Sequence, residues 1–238
     1  MKRLQRGAAL LLVLWVIGLL SVLLGGLAMS VQLQQRQAIW RSNQTDAVLT
    51  AQAGLELAVV NLLRAGPSGW LADGREHAVQ FNHSTLQVSV ISERGKLDLN
   101  AGSLHHLEKL LRAGGASSED AKRVTQALRT RRNKVPLRML EEYRQLPGMT
   151  YAVYQRTLPW VTIWSGNAEP DPGLAPPSLA QVLGLPRRAG PGADAGKLVT
   201  ITSIARRTNG LGAELQATVV LLPGYAGGKP YRVLRWRE

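Results

Sequence analysis

The feature that most constrains this chain is an apolar stretch that begins close to its N-terminus. Residues 8–29 read AALLLVLWVIGLLSVLLGGLAM, and residues 8–35 contain no charged side chain. A helix of about 20 apolar residues is long enough to cross the hydrocarbon core of a bilayer. Lys2, Arg3 and Arg6 precede this stretch. Such a basic start predicts a cytoplasmic N-terminus, with the rest of the chain outside the cytoplasm.

Three kinds of processing are compatible with this start. The segment could be an uncleaved signal anchor, or a secretory signal cut at the small-x-small site Gly26-Leu27-Ala28. It could also be a prepilin-type leader that ends at Gly7, with cleavage before Ala8 and retention of the apolar helix. We favour the leader, because the apolar stretch is longer than the roughly 7–15 residues of a cleaved secretory signal.

Helical patterning continues beyond the apolar stretch. Apolar residues recur at alternating steps of three and four, at Val48, Ala51, Leu55, Ala58 and Leu62. Ala65-Gly66-Pro67 then supplies a helix stop. The pattern predicts one continuous helix, with an apolar half in the membrane and an amphipathic half that packs on a sheet. This arrangement is typical of pilins and would not be expected behind a cleaved signal.

Strand patterns lie on both sides of a helix-rich block. Alternating residues predict strands over 78–81, 86–90, 198–205, 214–222 and 231–236. Helices are predicted along Leu104–Leu111, after the caps Ser117 and Thr150, from Pro136 onward, and over residues 178–183. The sequence therefore predicts an α+β fold of the type IV pilin-like kind. In it, a long N-terminal helix packs on a small antiparallel sheet, and a helical subdomain is inserted.

Two features raise a nucleic-acid-binding alternative, although the charge alone favours neither interpretation. The formal charge is +13, and the stretch Leu146-Pro147-Gly148-Met149-Thr150 resembles the hairpin of helix-hairpin-helix modules, which hold DNA phosphate with backbone N–H groups. Nearby basic residues could add charge, namely Arg129, Arg131, Arg132 and Lys134. We favour an ordinary helix connection and a solvated basic face, because Thr150 replaces the usual second glycine.

No catalytic or metal-binding constellation is predicted. The chain has no cysteine, which excludes disulfides and thiolate metal sites. His105-His106 is a poor metal pair because adjacent helical residues do not share a face, and His77 and His83 lie elsewhere in the sequence. The loop acids Glu169, Asp171 and Asp194 lack EF-hand spacing. No serine lies in a nucleophile-elbow sequence. We therefore expect no enzyme activity, no cofactor and no metal.

Four stretches, taken in order, resemble a known family. They are Arg6-Gly7 with the following AALLLVLWVIGLL, ERGKLDLN at residues 93–100, PLRMLEEYRQLPGMTYAVYQRTLPWVTIW at residues 136–164, and YRVLRWRE at residues 231–238. The chain is similar to the general secretion pathway protein K family, the largest minor pseudopilins of type II secretion systems. The resemblance spans nearly the whole chain, and the order of the stretches carries it.

Two positions depart from patterns expected of such proteins. Asn167-Ala168-Glu169-Pro170 stands where the family usually has a second Asn-rich motif, so the helical subdomain looks shortened and the family's metal binding is not carried over. Leu12 occupies position five after the proposed cut, where pilins in general carry a glutamate. The K family typically lacks that carboxylate. A subunit at the filament tip has no neighbour above it whose amine needs pairing.

The resemblance implies a subunit of the secretion pseudopilus that starts or caps its assembly. The implied partners are the I- and J-type minor pseudopilins, the major pseudopilin, the inner-membrane assembly platform and the prepilin peptidase; nucleic acid is not expected. The implied location is the bacterial inner membrane, crossed once, with the C-terminal domain in the periplasm and the new N-terminus methylated. The alternatives are a type IV pilus minor pilin and a membrane-tethered periplasmic nucleic-acid-binding protein.

The expected organisation has six segments. They are a leader (1–7), a transmembrane helix (8–29), its amphipathic continuation (30–65), a first β region (66–98), the helical insert with a Gly/Pro-rich loop (99–197) and a second β region (198–238).

Overall fold

The computed structural model describes residues 5–64, 69–82, 84–186, 194–207, 212–224 and 227–238. The chain divides into two compact units, residues 1–47 and residues 48–238. The helices are α1 (Gln5–Leu63), α2 (Leu104–Ala113), α3 (Ser118–Lys134), α4 (Tyr151–Thr157) and α5 (Pro177–Leu183). The strands are β1 (Asp73–Phe81), β2 (Ser84–Ser92), β3 (Leu97–Asp98), β4 (Val161–Thr162), β5 (Leu198–Arg207), β6 (Gly212–Leu221) and β7 (Tyr231–Arg237).

The larger unit is built on an antiparallel five-stranded sheet of order β1-β2-β5-β6-β7. The last part of α1 packs on one face of this sheet and forms a core from Ala51, Leu55 and Ala58 against strand residues such as Val88 and Ile201. Alternate residues in each strand point to opposite faces. The buried apolar residues at every second position of β2 and β5 therefore face the helix.

Gly54 sets how closely α1 approaches the sheet. A Cβ atom at this position would lie 2.2 Å from the Ser203 Oγ and 3.2 Å from a Val88 methyl carbon. A larger residue would therefore push the helix away from the strands.

Helices α2–α5 follow β2 in the sequence and precede β5. They have a hydrophobic core of their own, separate from the core between α1 and the sheet. Leu107 and Leu140 are both buried there. The predicted fold class is thus confirmed: a long N-terminal helix, an antiparallel sheet and an inserted helical subdomain. The residue limits of the six segments stay predictions.

The helix predicted from Pro136 is wrong. Residues 135–139 are not helical, and a 3₁₀ helix covers Leu140–Gln145 instead. The Asn100 amide group explains the difference, because it donates to the Leu137 carbonyl (2.9 Å) and accepts from the Leu137 N–H (2.8 Å). A side chain distant in sequence thus binds both backbone groups of Leu137, so the Leu137 carbonyl is not free for a helical hydrogen bond.

We expect Leu107→Ala to lower the free energy of unfolding by about 2–5 kcal/mol, because the side chain is fully buried and its loss leaves a cavity. Urea denaturation of the detergent-solubilised chain, followed by tryptophan fluorescence, measures the change. Leu71→Ala is the matched control, because Leu71 is largely exposed and such substitutions usually change stability by less than about 0.5 kcal/mol. Equal effects of the two variants would contradict the insert core described above.

Candidate functional site

The predicted processing residues all lie near the start of α1. Gly7 and Ala8 lie in its first turns, and Leu12 follows about one turn later. The Leu12 side chain is 67% exposed. Counted from Ala8, Leu12 occupies position five, so an apolar group stands where a pilin glutamate would be. Cleavage between Gly7 and Ala8 stays a prediction.

Two apolar segments of α1 are candidates for contact with a membrane. Among the described side chains, Gln34–Leu63 has the length and composition to cross a membrane, and Leu12–Leu23 is a shorter apolar segment. The later part of Gln34–Leu63 buries Ala51 and Leu55 in the core with the sheet. This segment is therefore apolar because it is a core helix of the folded unit, and residues 8–29 stay the proposed span.

The stretch ERGKLDLN joins the sheet to the helical insert through a buried ion pair. Lys96 Nζ lies 2.5 Å from Glu93 Oε1, and both side chains are almost completely buried. The Thr200 hydroxyl donates to the same Glu93 oxygen (2.6 Å) and lies 2.9 Å from Lys96 Nζ. Thr200 also bonds Thr218 on β6 (2.9 Å). These contacts tie the start of the insert to two neighbouring strands.

This network lies on the sheet face opposite α1. Thr200 precedes Ile201 in β5, and Ile201 belongs to the core shared with α1, so the threonine points the other way. Arg235 on β7 adds a second attachment, because its Nε lies 2.9 Å from the Glu141 carboxylate in the insert. These contacts between the insert and the sheet are charged and polar. The contacts of α1 with the sheet are mainly apolar, with one polar addition, because the Tyr231 hydroxyl donates to Glu56 (2.7 Å).

The return of the chain from the insert is tied to its start. Ser92 Oγ donates to the Ala195 carbonyl (2.6 Å), and Arg94 Nη1 lies 3.0 Å from Asp194 Oδ2. The residues that enter and leave the insert thus lie side by side, which allows the insert to interrupt the sheet without separating β2 from β5.

Gly95 and Asp98 have clear structural roles in the same stretch. A Cβ atom on Gly95 would lie 2.2 Å from the Leu174 carbonyl oxygen, so no larger side chain fits there. The Asp98 carboxylate accepts hydrogen bonds from the Asn100 and Ala101 N–H groups and from Ser165 and Gly166. The sequence pointed to this stretch only through its family resemblance. A second signal in the sequence is the Glu-x-x-Lys spacing beside a strand, which is typical of an internal ion pair and was not used.

Two of the basic residues considered for DNA binding are engaged within the protein. The Arg132 guanidinium donates to the carbonyls of Leu99 (2.5 Å) and Gly102 (2.9 Å). Burial lowers the pKa of Arg132, although the nearby Asp98 carboxylate opposes that shift. Arg131 forms an ion pair with Glu142. These two side chains stabilise the insert rather than presenting a free basic face.

The hairpin at Leu146-Pro147-Gly148-Met149-Thr150 forms a packed connection. Gly148 has φ of 91°, and a Cβ atom there would lie 3.1 Å from both the Arg123 Cβ and the Asp120 carbonyl on α3. The Thr150 hydroxyl accepts from the Val153 N–H and caps α4. This geometry supports the interpretation as a helix connection.

The histidines and loop acids are dispersed. His106 Nδ1 lies 3.0 Å from Glu169, and the His77 ring stacks on Trp70 at 4.0 Å. Asp171 and Asp194 each accept a backbone N–H from a glycine two residues ahead. His83 lies outside the described residues. Within the described ranges, no group of three or more histidine or acidic side chains is arranged to hold a metal ion.

Comparison with known proteins bears on the fold. No protein-family model matches the chain, and no curated protein matches it. A solved structure does match: the complex of GspK, GspI and GspJ from the type 2 secretion system of enterotoxigenic Escherichia coli. The TM-score is 0.50 at 15% sequence identity, and the match covers 88% of this chain and 98% of that chain. The likeness shows that this chain has a pseudopilin-like fold.

Proposed function

We propose that this chain is a non-enzymatic minor pseudopilin of a type II secretion system, of the K type, which initiates or caps the pseudopilus from its tip. The observation that carries the proposal is the pairing of a pilin-like helix and sheet with an inserted helical subdomain. The match to the GspK-GspI-GspJ complex extends over 88% of the chain and therefore includes most of both parts. The resemblance of the ERGKLDLN stretch to the K family gives independent support.

Two features of the chain support a position at the tip. The insert projects from the sheet face opposite α1. If the subunit repeated along a close-packed filament, every repeat would have to accommodate a full copy of this insert. Leu12 also lacks the carboxylate that would pair with the amine of a neighbouring subunit, and an unpaired charge in the membrane would be costly. A single terminal copy tolerates both features.

The proposal includes the membrane and the processing step. Residues 8–29 form the inner-membrane span, the N-terminus is cytoplasmic, and the folded unit is periplasmic. Prepilin peptidase removes residues 1–7, and the new N-terminal Ala8 is methylated. The I- and J-type minor pseudopilins are the direct partners, followed by the major pseudopilin and the assembly platform.

Co-purification tests the partners. The full-length chain, tagged after Glu238 and extracted in mild detergent, should recover the I- and J-type pseudopilins of its own secretion system. Immunogold labelling should place it at the ends of overexpressed filaments. Recovery of nucleic acid without any pseudopilin would support the DNA-binding alternative. Even labelling along the filaments would contradict the tip position.

A further inference from the structure

A basic and aromatic face lies on α1 directly after the charge-free stretch. Arg36, Gln37, Trp40 and Arg41 line a shallow surface groove, and their side chains are exposed. Arg36 and Trp40 are four residues apart, as are Gln37 and Arg41, so each pair lies one above the other and the two pairs form adjacent rows along the helix. Trp40 is 58% exposed, so its indole ring is accessible at the helix surface. We call these four residues the collar.

The distance from the proposed new N-terminus to the collar matches the thickness of a membrane. Ala8 and Arg36 belong to the same continuous helix, which at about 1.5 Å per residue puts them about 42 Å apart. A bilayer with its headgroups is about 40–45 Å thick. Gln32, Gln34 and Gln35 are polar but uncharged and occupy the last part of this distance. The collar therefore falls at the outer headgroup level if residues 8–29 cross the hydrocarbon core.

The chemistry of the collar fits phosphate headgroups. The first acidic residue after the N-terminus is Asp46, so no carboxylate competes within residues 8–45. Helical side chains tilt toward the N-terminus, which directs the collar side chains back toward the membrane. Arginine binds phosphate with a planar fork of donors, and tryptophan is enriched at membrane interfaces.

We propose that the collar binds phospholipid headgroups of the outer leaflet of the membrane that the chain crosses, with a preference for anionic lipids. This proposal depends on the membrane-crossing part of the proposed function and adds a lipid contact to it. Each arginine facing an anionic surface should strengthen binding about fivefold. The collar would then hold the subunit at a fixed depth until it is drawn into the filament.

Native mass spectrometry of the full-length chain tests the preference. Micelles carry equal amounts of phosphatidylglycerol and phosphatidylcholine, and the lipid adducts retained by the protein are counted. The wild type should retain mainly phosphatidylglycerol, and Arg36→Gln/Arg41→Gln should retain about 25-fold less. Arg64→Gln is the matched control: Arg64 is exposed and immediately follows the other end of α1, so its loss should change nothing.

A second measurement reports the depth of the collar. Because the chain has no cysteine, Gln37→Cys provides a unique site for a nitroxide label in vesicles. Its accessibility to a water-soluble and to a lipid-soluble relaxation agent should place it at the phosphate level. Equal phosphatidylglycerol retention by wild type and double variant, or a label well away from the phosphates, would overturn the proposal.

Alkaline carbonate extraction distinguishes failure of the membrane-crossing proposal from failure of the collar proposal alone. If the chain is released from membranes, the membrane-crossing part of the proposed function is wrong, and the collar proposal falls with it. If the chain stays in the membrane while the arginine variant keeps its lipid, only the collar proposal is overturned.

Discussion

Lys96→Met should lower the free energy of unfolding by about 3–5 kcal/mol, because it leaves the Glu93 carboxylate buried without its charge partner. Glu93 is fully buried, and its Oε2 atom already has no hydrogen-bond partner among the described residues. Among the described residues, the Thr200 hydroxyl alone would still donate to the carboxylate. Urea denaturation followed by fluorescence of Trp160 and Trp164, which pack against the insert core, measures the loss.

Two further variants isolate the charge effect. Glu93→Leu/Lys96→Met removes both charges and should recover most of the lost stability, since apolar pairs often replace buried ion pairs without cost. Arg75→Met breaks the ion pair with Asp73, in which the Arg75 side chain is largely exposed, and should cost less than about 1 kcal/mol. A Lys96→Met variant as stable as the wild type would show that the pair does not hold the insert to the sheet.

Gly7→Leu should abolish removal of the leader, so that the full-length precursor accumulates in the membrane. The reason is steric, because a prepilin peptidase must accommodate a small residue before the bond it cuts. The precursor and the mature form are separated by gel mobility and intact mass. Gly18→Leu is the matched control: a Cβ at Gly18 meets no atom within 4 Å, so processing should be normal. Normal processing of Gly7→Leu would contradict the proposed cleavage site.

The sequence predicted the elements whose pattern is local. The repeat at Ala51, Leu55 and Ala58 marks the face of α1 that packs on the sheet. Alternation in Leu86, Val88 and Val90 marks the buried face of β2 in the same way. Each pattern repeats with the period of its own secondary structure and needs no knowledge of distant residues.

What the sequence did not predict depends on distant contacts. The bond from Lys96 to Thr200 joins residues 104 positions apart, and no local pattern shows that they meet. The parallel pair β3 and β4 has two residues per strand, too short for any periodicity. The conformation of the segment after Pro136 is likewise set by hydrogen bonds from the Asn100 side chain and not by the segment's own helical preference.

The architecture explains how a pilin-like unit can carry a large insertion. The apolar core with α1 lies on one sheet face, where Gly54 lets α1 approach closely. The insert has its own core and contacts the opposite face through Glu93, Lys96 and Arg235. Substitutions in the insert core should therefore leave the packing of α1 on the sheet largely intact. We propose that this separation lets the helix take part in filament assembly while the insert meets the partners at the tip.

Mass spectrometry of the N-terminal peptide of the mature protein, taken from its native membrane, tests whether this chain is a processed pseudopilin. We predict a chain that begins at Ala8 and carries one added methyl group on its amine. A mature chain that begins at Met29, after cleavage behind Ala28, or one that still begins at Met1, would contradict it.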